Sequence, residues 1–260
     1  MQRSLLLTLT LLAAAMVVLP AQQAVNDANP LYRPISIRMS TISVPPIAGV
    51  PFSATAVIKN QQTLPDGTVQ TSRNINLIGR DSRGRTHGEM RQRVPEFSKD
   101  VPPLNEVHIY DPQAHLKIVY YPATHIASRK PQSAPAVTAD LSDHSNPLVK
   151  VEDLGATTID NIDVKGTRRS VTIPAQNAAT GAPITVVDEY WYSEDLHLNI
   201  LLVHSDPRTG EQTVALSDIK REEPPQEFFE VPPGYKIVDM TPPAGAPAAR
   251  GSVAAGSPTP

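Results

Sequence analysis

Seven histidines, and a group of carboxylates beside aromatic rings, are the side chains here whose types suit chemistry. His108 and His115 flank a turn carrying Asp111, and His197 and His204 share one strand-like segment. Zinc needs ligands that converge, usually anchored by a tight local pair. A spacing of seven residues on a strand puts two side chains on opposite faces and roughly 23 Å apart. Neither pair chelates unaided if extended, so solvated or singly hydrogen-bonded imidazoles are expected and no metal site is assigned.

Asp188, Glu189, Glu194 and Asp195 surround Tyr190, Trp191 and Tyr192. Two carboxylates flanking a stacked sugar would be a glycosidase arrangement. Asp188 and Glu189 are strand neighbours, however, and point to opposite faces. Glu194 and Asp195 fall in the following turn. The expectation is a strand with one or two aromatics in the core and its acids in solvent. Trp191, Tyr190 and Tyr192 are then candidate contacts for a ligand or partner. Arg168, on the preceding predicted strand, and Tyr120, in the β-rich run His115–Tyr121, are two more. The Arg168-Arg169 pair either orients a partner or caps an edge.

No Gly-x-Ser-x-Gly elbow presents a serine nucleophile, and Gly49, Gly67 and Gly79 are isolated turn or bulge residues. The absence of cysteine removes disulfides, thiolate ligands and thiol nucleophiles together. No catalytic residue and no cofactor is assigned, and the chain is expected not to be an enzyme. Arg80, Arg83, Arg85, Arg91 and Arg93 form a basic stretch, read as charge blunting a solvated strand edge. An anionic lipid headgroup or a polysaccharide is its alternative partner. A formal net charge of −3 leaves no electrostatic footprint for nucleic acid.

The elements that must position these residues are strands. Ala54–Asn60, Thr68–Arg80, Arg85–Gln92, Val107–Tyr110, His115–Tyr121, Asp163–Ile173, Ile184–Tyr192, Leu196–Val203 and Glu211–Ile219 are rich in β-formers, several with period-two alternation. Arg85–Gln92 reads as a polar edge strand. Leu64-Pro65-Asp66-Gly67 and Asp81-Ser82-Arg83-Gly84 are turns, and residues 205–210 close a hairpin on Gly210. A short helical turn is expected at 224–229, docking Phe228 and Phe229 on the core, followed by a terminal strand from Tyr235. With 40% hydrophobic residues but only 5% aromatic, Val, Ile and Leu carry most of the burial. The fold class is all-β or mainly β: an antiparallel sheet curled into a half-barrel, or a β-sandwich.

The ends set the address. Met1-Gln2-Arg3, an apolar run from Ser4 to Val18 and the exit Leu19-Pro20-Ala21 read as a signal peptide over residues 1–21. Its apolar run falls short of the roughly 20 residues that span a bilayer, so no transmembrane anchor is expected after cleavage. Loss of Arg3 takes the net charge to about −4. Residues 22–30 form an extended leader, 31–240 one β-rich domain, and the Pro/Ala-rich 241–260 a disordered tail. Residues 128–147 are a long loop, flap or linker. The product is expected in the periplasm or the medium.

From Leu154 to Asp239 the chain resembles an uncharacterised family of secreted bacterial proteins. Asp153-Leu154-Gly155, Gly166-Thr167-Arg168, Ile173-Pro174, Glu189-Tyr190-Trp191-Tyr192-Ser193, Asp206-Pro207-Arg208-x-Gly210, Arg221-x-Glu223-Pro224 and Phe229-x-Val231-Pro232-x-x-Tyr235 carry that resemblance. More distantly, the strand succession and its Phe-x-Val-Pro-x-x-Tyr ending resemble the outer-membrane lipoprotein carrier superfamily. That resemblance implies a periplasmic half-barrel holding acyl chains. The leading expectation is a non-enzymatic exported protein with an apolar groove for lipid or a lipoprotein acyl chain. The alternative is an envelope structural or protein-interaction module with a closed sandwich, and a carbohydrate-binding protein using Trp191 ranks third.

Overall fold

The computed structural model describes residues 42–64, 66–133 and 146–241. The expected signal peptide, the leader, the tail from residue 242 onward and most of the 128–147 segment lie outside them. The strands are β1 (Phe52–Thr63), β2 (Val69–Arg80), β3 (Thr86–Arg91), β4 (Val94–Pro95), β5 (Leu104–Asp111), β6 (Leu116–Tyr121) and β7 (Ile126–Pro131). They continue as β8 (Val149–Ile159), β9 (Ile162–Ile173), β10 (Ile184–Ser193), β11 (Leu198–Asp206), β12 (Gly210–Lys220) and β13 (Lys236–Asp239). Two single 3-10 turns, Ala175–Asn177 and Gln226–Phe229, are the helical content of the described residues.

All thirteen strands belong to one sheet, ordered β13-β7-β6-β5-β3-β2-β1-β12-β11-β10-β9-β8, with β4 paired to β2. Pairing is antiparallel except between β13 and β7. Two meanders, β1–β7 and β8–β12, are thus joined edge to edge by β1 and β12, where Ile58 opposes Val214. The sheet is open rather than closed into a barrel. The stacked second sheet of a sandwich is not what the described residues form.

The core changes face along this sheet. Strand residues that oppose one another share a face. In β1, Phe52, Ala54, Ala56 and Ile58 alternate inward, and Ile78 of β2, Val214 and Leu216 of β12, and Leu198, Ile200 and Leu202 of β11 join them in the larger cluster. Gly79, one residue along from Ile78, opposes His87, and His87 opposes Ile109. Ile109 belongs to the second cluster, with Val107, Tyr120, Ala127 and Phe229. The two cores therefore occupy opposite faces.

Residues 221–235 explain the switch. After β12 the chain crosses back over the first meander as a strap before β13 adds beside β7. Phe228 lies over Gly79 and stacks on His87 with ring centroids 3.7 Å apart. Phe229 is 4% exposed within the second cluster, under the Arg85 guanidinium. Docking of both phenylalanines is as their apolar pair implied. β3 differs from expectation: it is an interior strand paired with both β2 and β5, and Phe228 of the strap covers its His87. The basic stretch is correspondingly no strand edge, although its Arg83 and Arg93 are exposed. Arg80 is fully buried, and Arg91 is paired with Glu89 at 2.8 Å.

Three strands lie where a loop or no element was expected: the two-residue β4, β7 at the start of the 128–147 segment, and β8 just after it. The β11–β12 turn closes on Gly210, at φ 91° and packed so tightly that a Cβ would overlap the Gln61 carbonyl oxygen. Gly210→Ala is expected to cost at least about 2 kcal/mol, from left-handed strain plus the overlap. The urea midpoint measures this, and a change within roughly 0.5 kcal/mol, the scatter of a neutral surface substitution, would contradict it.

Candidate functional site

β1 and β2 extend as a twelve-residue pair to a turn at Leu64–Thr68, where Gly67 adopts φ 83°. β4 adds to β2 near this tip, Ser72 opposite Pro95 and Arg73 opposite Val94. The loop around β4 is fastened at several points. Arg73 Nη2 donates to the Ser98 carbonyl at 2.8 Å, and Lys59 Nζ reaches Glu96 at 3.1 Å. The Gln92 amide donates to the Pro103 carbonyl at 2.8 Å.

Between the strand tip and this loop is an open cavity of about 760 Å³. Leu64, Val69, Val94, Pro95 and Phe97 make its apolar wall, and Asn60, Gln62, Gln70 and Arg93 supply amides and a guanidinium. Phe97 is 85% and Val69 51% exposed. A phenyl ring left in water forgoes about 1.5–3 kcal/mol of burial. Apolar side chains presented together beside polar anchors are a typical ligand-site surface.

From this cavity a polar row runs into the sheet. Ser72 of β2 opposes Asn60 of β1, Asn60 opposes Gln212 of β12, and Gln212 opposes His204 of β11. His204 opposes Asp188 of β10, which opposes Arg169 of β9. Asn60 to Arg169 covers four strand intervals, about 19 Å. Gln212 Nε2 donates to Asn60 Oδ1 at 2.8 Å, and His204 Nδ1 lies 2.7 Å from Asp188 Oδ1. Asn60 Nδ2, His204 Nε2, Asp188 Oδ2 and an Arg169 guanidinium nitrogen are buried without hydrogen-bond partners among the described residues. Each such group costs about 1–3 kcal/mol unless something polar meets it.

Asp188, expected in solvent, is only 6% exposed. Burial pushes its carboxyl above the usual range, and the His204 hydrogen bond opposes this. The row itself was missed. Its signal is present in each strand: Asn60 continues Ala54, Ala56 and Ile58, His204 continues Leu198, Ile200 and Leu202, and Asp188 continues Ile184 and Val186. A polar residue interrupts each inward apolar series, and the strand registers bring the interruptions level.

The other expected contacts fall in two places. Tyr190 and Trp191 pack against the larger cluster, the indole lying so close to Gly166 that a Cβ there would run into its ring. Burial pushes the Tyr190 phenol up to about 12. Tyr192 is half-buried on the same strand. Arg168 grips Glu189 across the strands, with nitrogen–oxygen distances of 2.8 and 2.7 Å. It caps no edge, since β8 lies outside β9. Tyr120 belongs to the second cluster, edge-on to Tyr235 at 5.2 Å between centroids, and does not join the others.

No family model and no curated protein matches the chain. Among solved structures, an uncharacterized conserved protein from Thermus thermophilus is similar over 74% of this chain and 91% of its own, at 9% identity and a TM-score of 0.39. A chain of the Pseudomonas aeruginosa MucA/MucB complex is similar over 72% of this chain and 58% of its own, at 10% identity and a TM-score of 0.39. A LolA superfamily protein from Nitrosomonas europaea is similar over 72% of this chain and 92% of its own, at 11% identity and a TM-score of 0.30.

Proposed function

We propose that this chain is an exported, non-enzymatic binding protein of the cell envelope that holds an acyl chain of a lipid or lipoprotein in the groove at the β1–β2 tip. The cavity of about 760 Å³ carries this reading, since a closed interaction module would lack any space above the roughly 300 Å³ of a small ligand pocket. Its walls divide the work. Leu64, Val69, Val94, Pro95 and Phe97 accept methylenes, each contributing about 0.8 kcal/mol when buried. The amides of Asn60, Gln62 and Gln70 and the Arg93 guanidinium meet a polar head. Export rests on the positive start, the short apolar run and the small-residue exit of residues 1–21. The half-buried Trp191–Arg168 patch, away from the groove, is the candidate contact for a protein partner.

Saturable binding of a fluorescent acyl probe to delipidated protein is the test. Phe97→Asp puts a charge in the apolar wall at an exposed position, so it is expected to weaken binding at least about tenfold, or roughly 1.4 kcal/mol, without lowering the melting temperature. Absence of saturable binding, or an unchanged Kd in the variant, would sink the proposal.

A further inference from the structure

On the first meander, a second cavity of about 350 Å³ lies over β3, β5 and β6, and none of its lining residues borders the acyl groove. One cross-strand row forms part of its floor. Thr86 of β3 opposes Tyr110 of β5, Tyr110 opposes Lys117 of β6, and Lys117 opposes Lys130 of β7. Thr86, Tyr110 and Lys117 line the space, and Ser43 adds a hydroxyl from the segment before β1.

Three features of this row call for a negative occupant. Lys117 and Lys130 are directly opposed like charges, a destabilising pair on a sheet. Neither has a carboxylate within ion-pair distance among the described residues. Glu106, the acid of β5 that shares the face of Tyr110, is taken up by His108 at 3.0 Å. Tyr110 is 7% exposed, and its hydroxyl is buried with no hydrogen-bond partner among the described residues. An orphaned phenol on a buried ring is a donor held ready, and its cost is recovered when an acceptor arrives. The Lys117 charge is close enough to His108, on the adjacent strand, to join burial in lowering that imidazole's pKa.

We propose that this second cavity binds a phosphate or carboxylate group met by the Lys117 ammonium of its lining, with Lys130, opposite Lys117 on β7, adding positive charge beside the cavity and the Tyr110 hydroxyl donating from the floor. The volume, at the small end of ligand pockets, fits a headgroup-sized anion rather than a chain. The occupant is either the free ion, or a small metabolite bearing it, or the headgroup of an anionic lipid. These share one chemistry and differ in how they are presented.

Calorimetric titration of the full mature chain with glycerol 3-phosphate and with inorganic phosphate tests the free forms, and flotation with phosphatidylglycerol vesicles tests the presented form. At least one arm is expected to show saturable binding that weakens as salt is raised. Lys117→Gln is expected to weaken it at least about tenfold, since it removes a charge-assisted bond. Tyr110→Phe, which deletes an unsatisfied hydroxyl and should fold as well as the parent, is expected to weaken it several-fold. A merely structural pair of lysines predicts the opposite pattern, a more stable Lys117→Gln variant with every affinity unchanged. That pattern, or no binding in any arm, would overturn the proposal. Because Phe97→Asp should leave the anion titration unchanged, failure here and failure of the acyl groove are separable.

Discussion

Arg80→Met is expected to lower the unfolding free energy by about 3–5 kcal/mol, far more than an arginine in a charged stretch normally would. Arg80 is fully buried at the end of β2, over the Phe52 ring at 5.2 Å. Its Nε donates to the Val50 carbonyl at 2.9 Å, Nη1 to Pro45 at 2.8 Å and Nη2 to Leu196 at 2.7 Å. Those carbonyls belong to the segment before β1 and to the β10–β11 turn. Leu196 lies three strands away in sheet order, about 14 Å if the sheet were flat, so the turn folds over toward β2. Methionine fills similar volume but leaves three carbonyls without a donor. Arg80→Lys should fall between, because an ammonium cannot serve three divergent acceptors as a planar fork does. Denaturant unfolding reads the effect, and a loss under about 1 kcal/mol for Arg80→Met would show that water replaces the guanidinium cheaply.

The second large effect is acid loosening of the strap. Burial lowers the pKa of His87 from 6.5 to about 4, against the opposing pull of the Phe228 carbonyl on Nδ1 and the charge of Glu89. The native state thus prefers the neutral imidazole, while the unfolded chain takes up a proton near pH 6.5. The stabilisation is complete above pH 6.5 and is lost as pH falls toward 4, on the order of 3 kcal/mol over that window. Since His87 stacks on Phe228, the strap and the second cluster should loosen first. His87→Phe keeps a ring against Phe228 and removes the titration, so its stability should change less between pH 7 and pH 4.5. Parallel pH profiles for the two proteins would remove His87 as the cause.

These effects also mark where the sequence was legible. Strands whose inward face is apolar declare themselves: Ala54, Ala56 and Ile58 alternate, as do Leu198, Ile200 and Leu202, and both runs are strands. β7 and β8 gave no such signal because most of their side chains are exposed at or near an edge. β3 read as an edge because its residues are polar. Its cover, Phe228 and Phe229, comes from about 140 residues further along, and no local pattern encodes that contact.

The candidate site is divided in the same way. Trp191 and its neighbours stand out as residue types, but their surroundings come from register, with Gly166 opposite Trp191 and Glu189 opposite Arg168. The polar row needs six strands to be aligned before it exists. The groove needs the β4 loop to fold back on β2, through Arg73 and Ser98, before Phe97 and Val69 become one wall.

Native mass spectrometry of the protein, purified from an expressing cell without detergent, tests the proposed acyl binding in the groove most directly. The account predicts a discrete adduct that extracts into organic solvent as lipid and is absent from Phe97→Asp purified in parallel. A clean apo mass for the parent protein, or an adduct that Phe97→Asp retains in full, would contradict it.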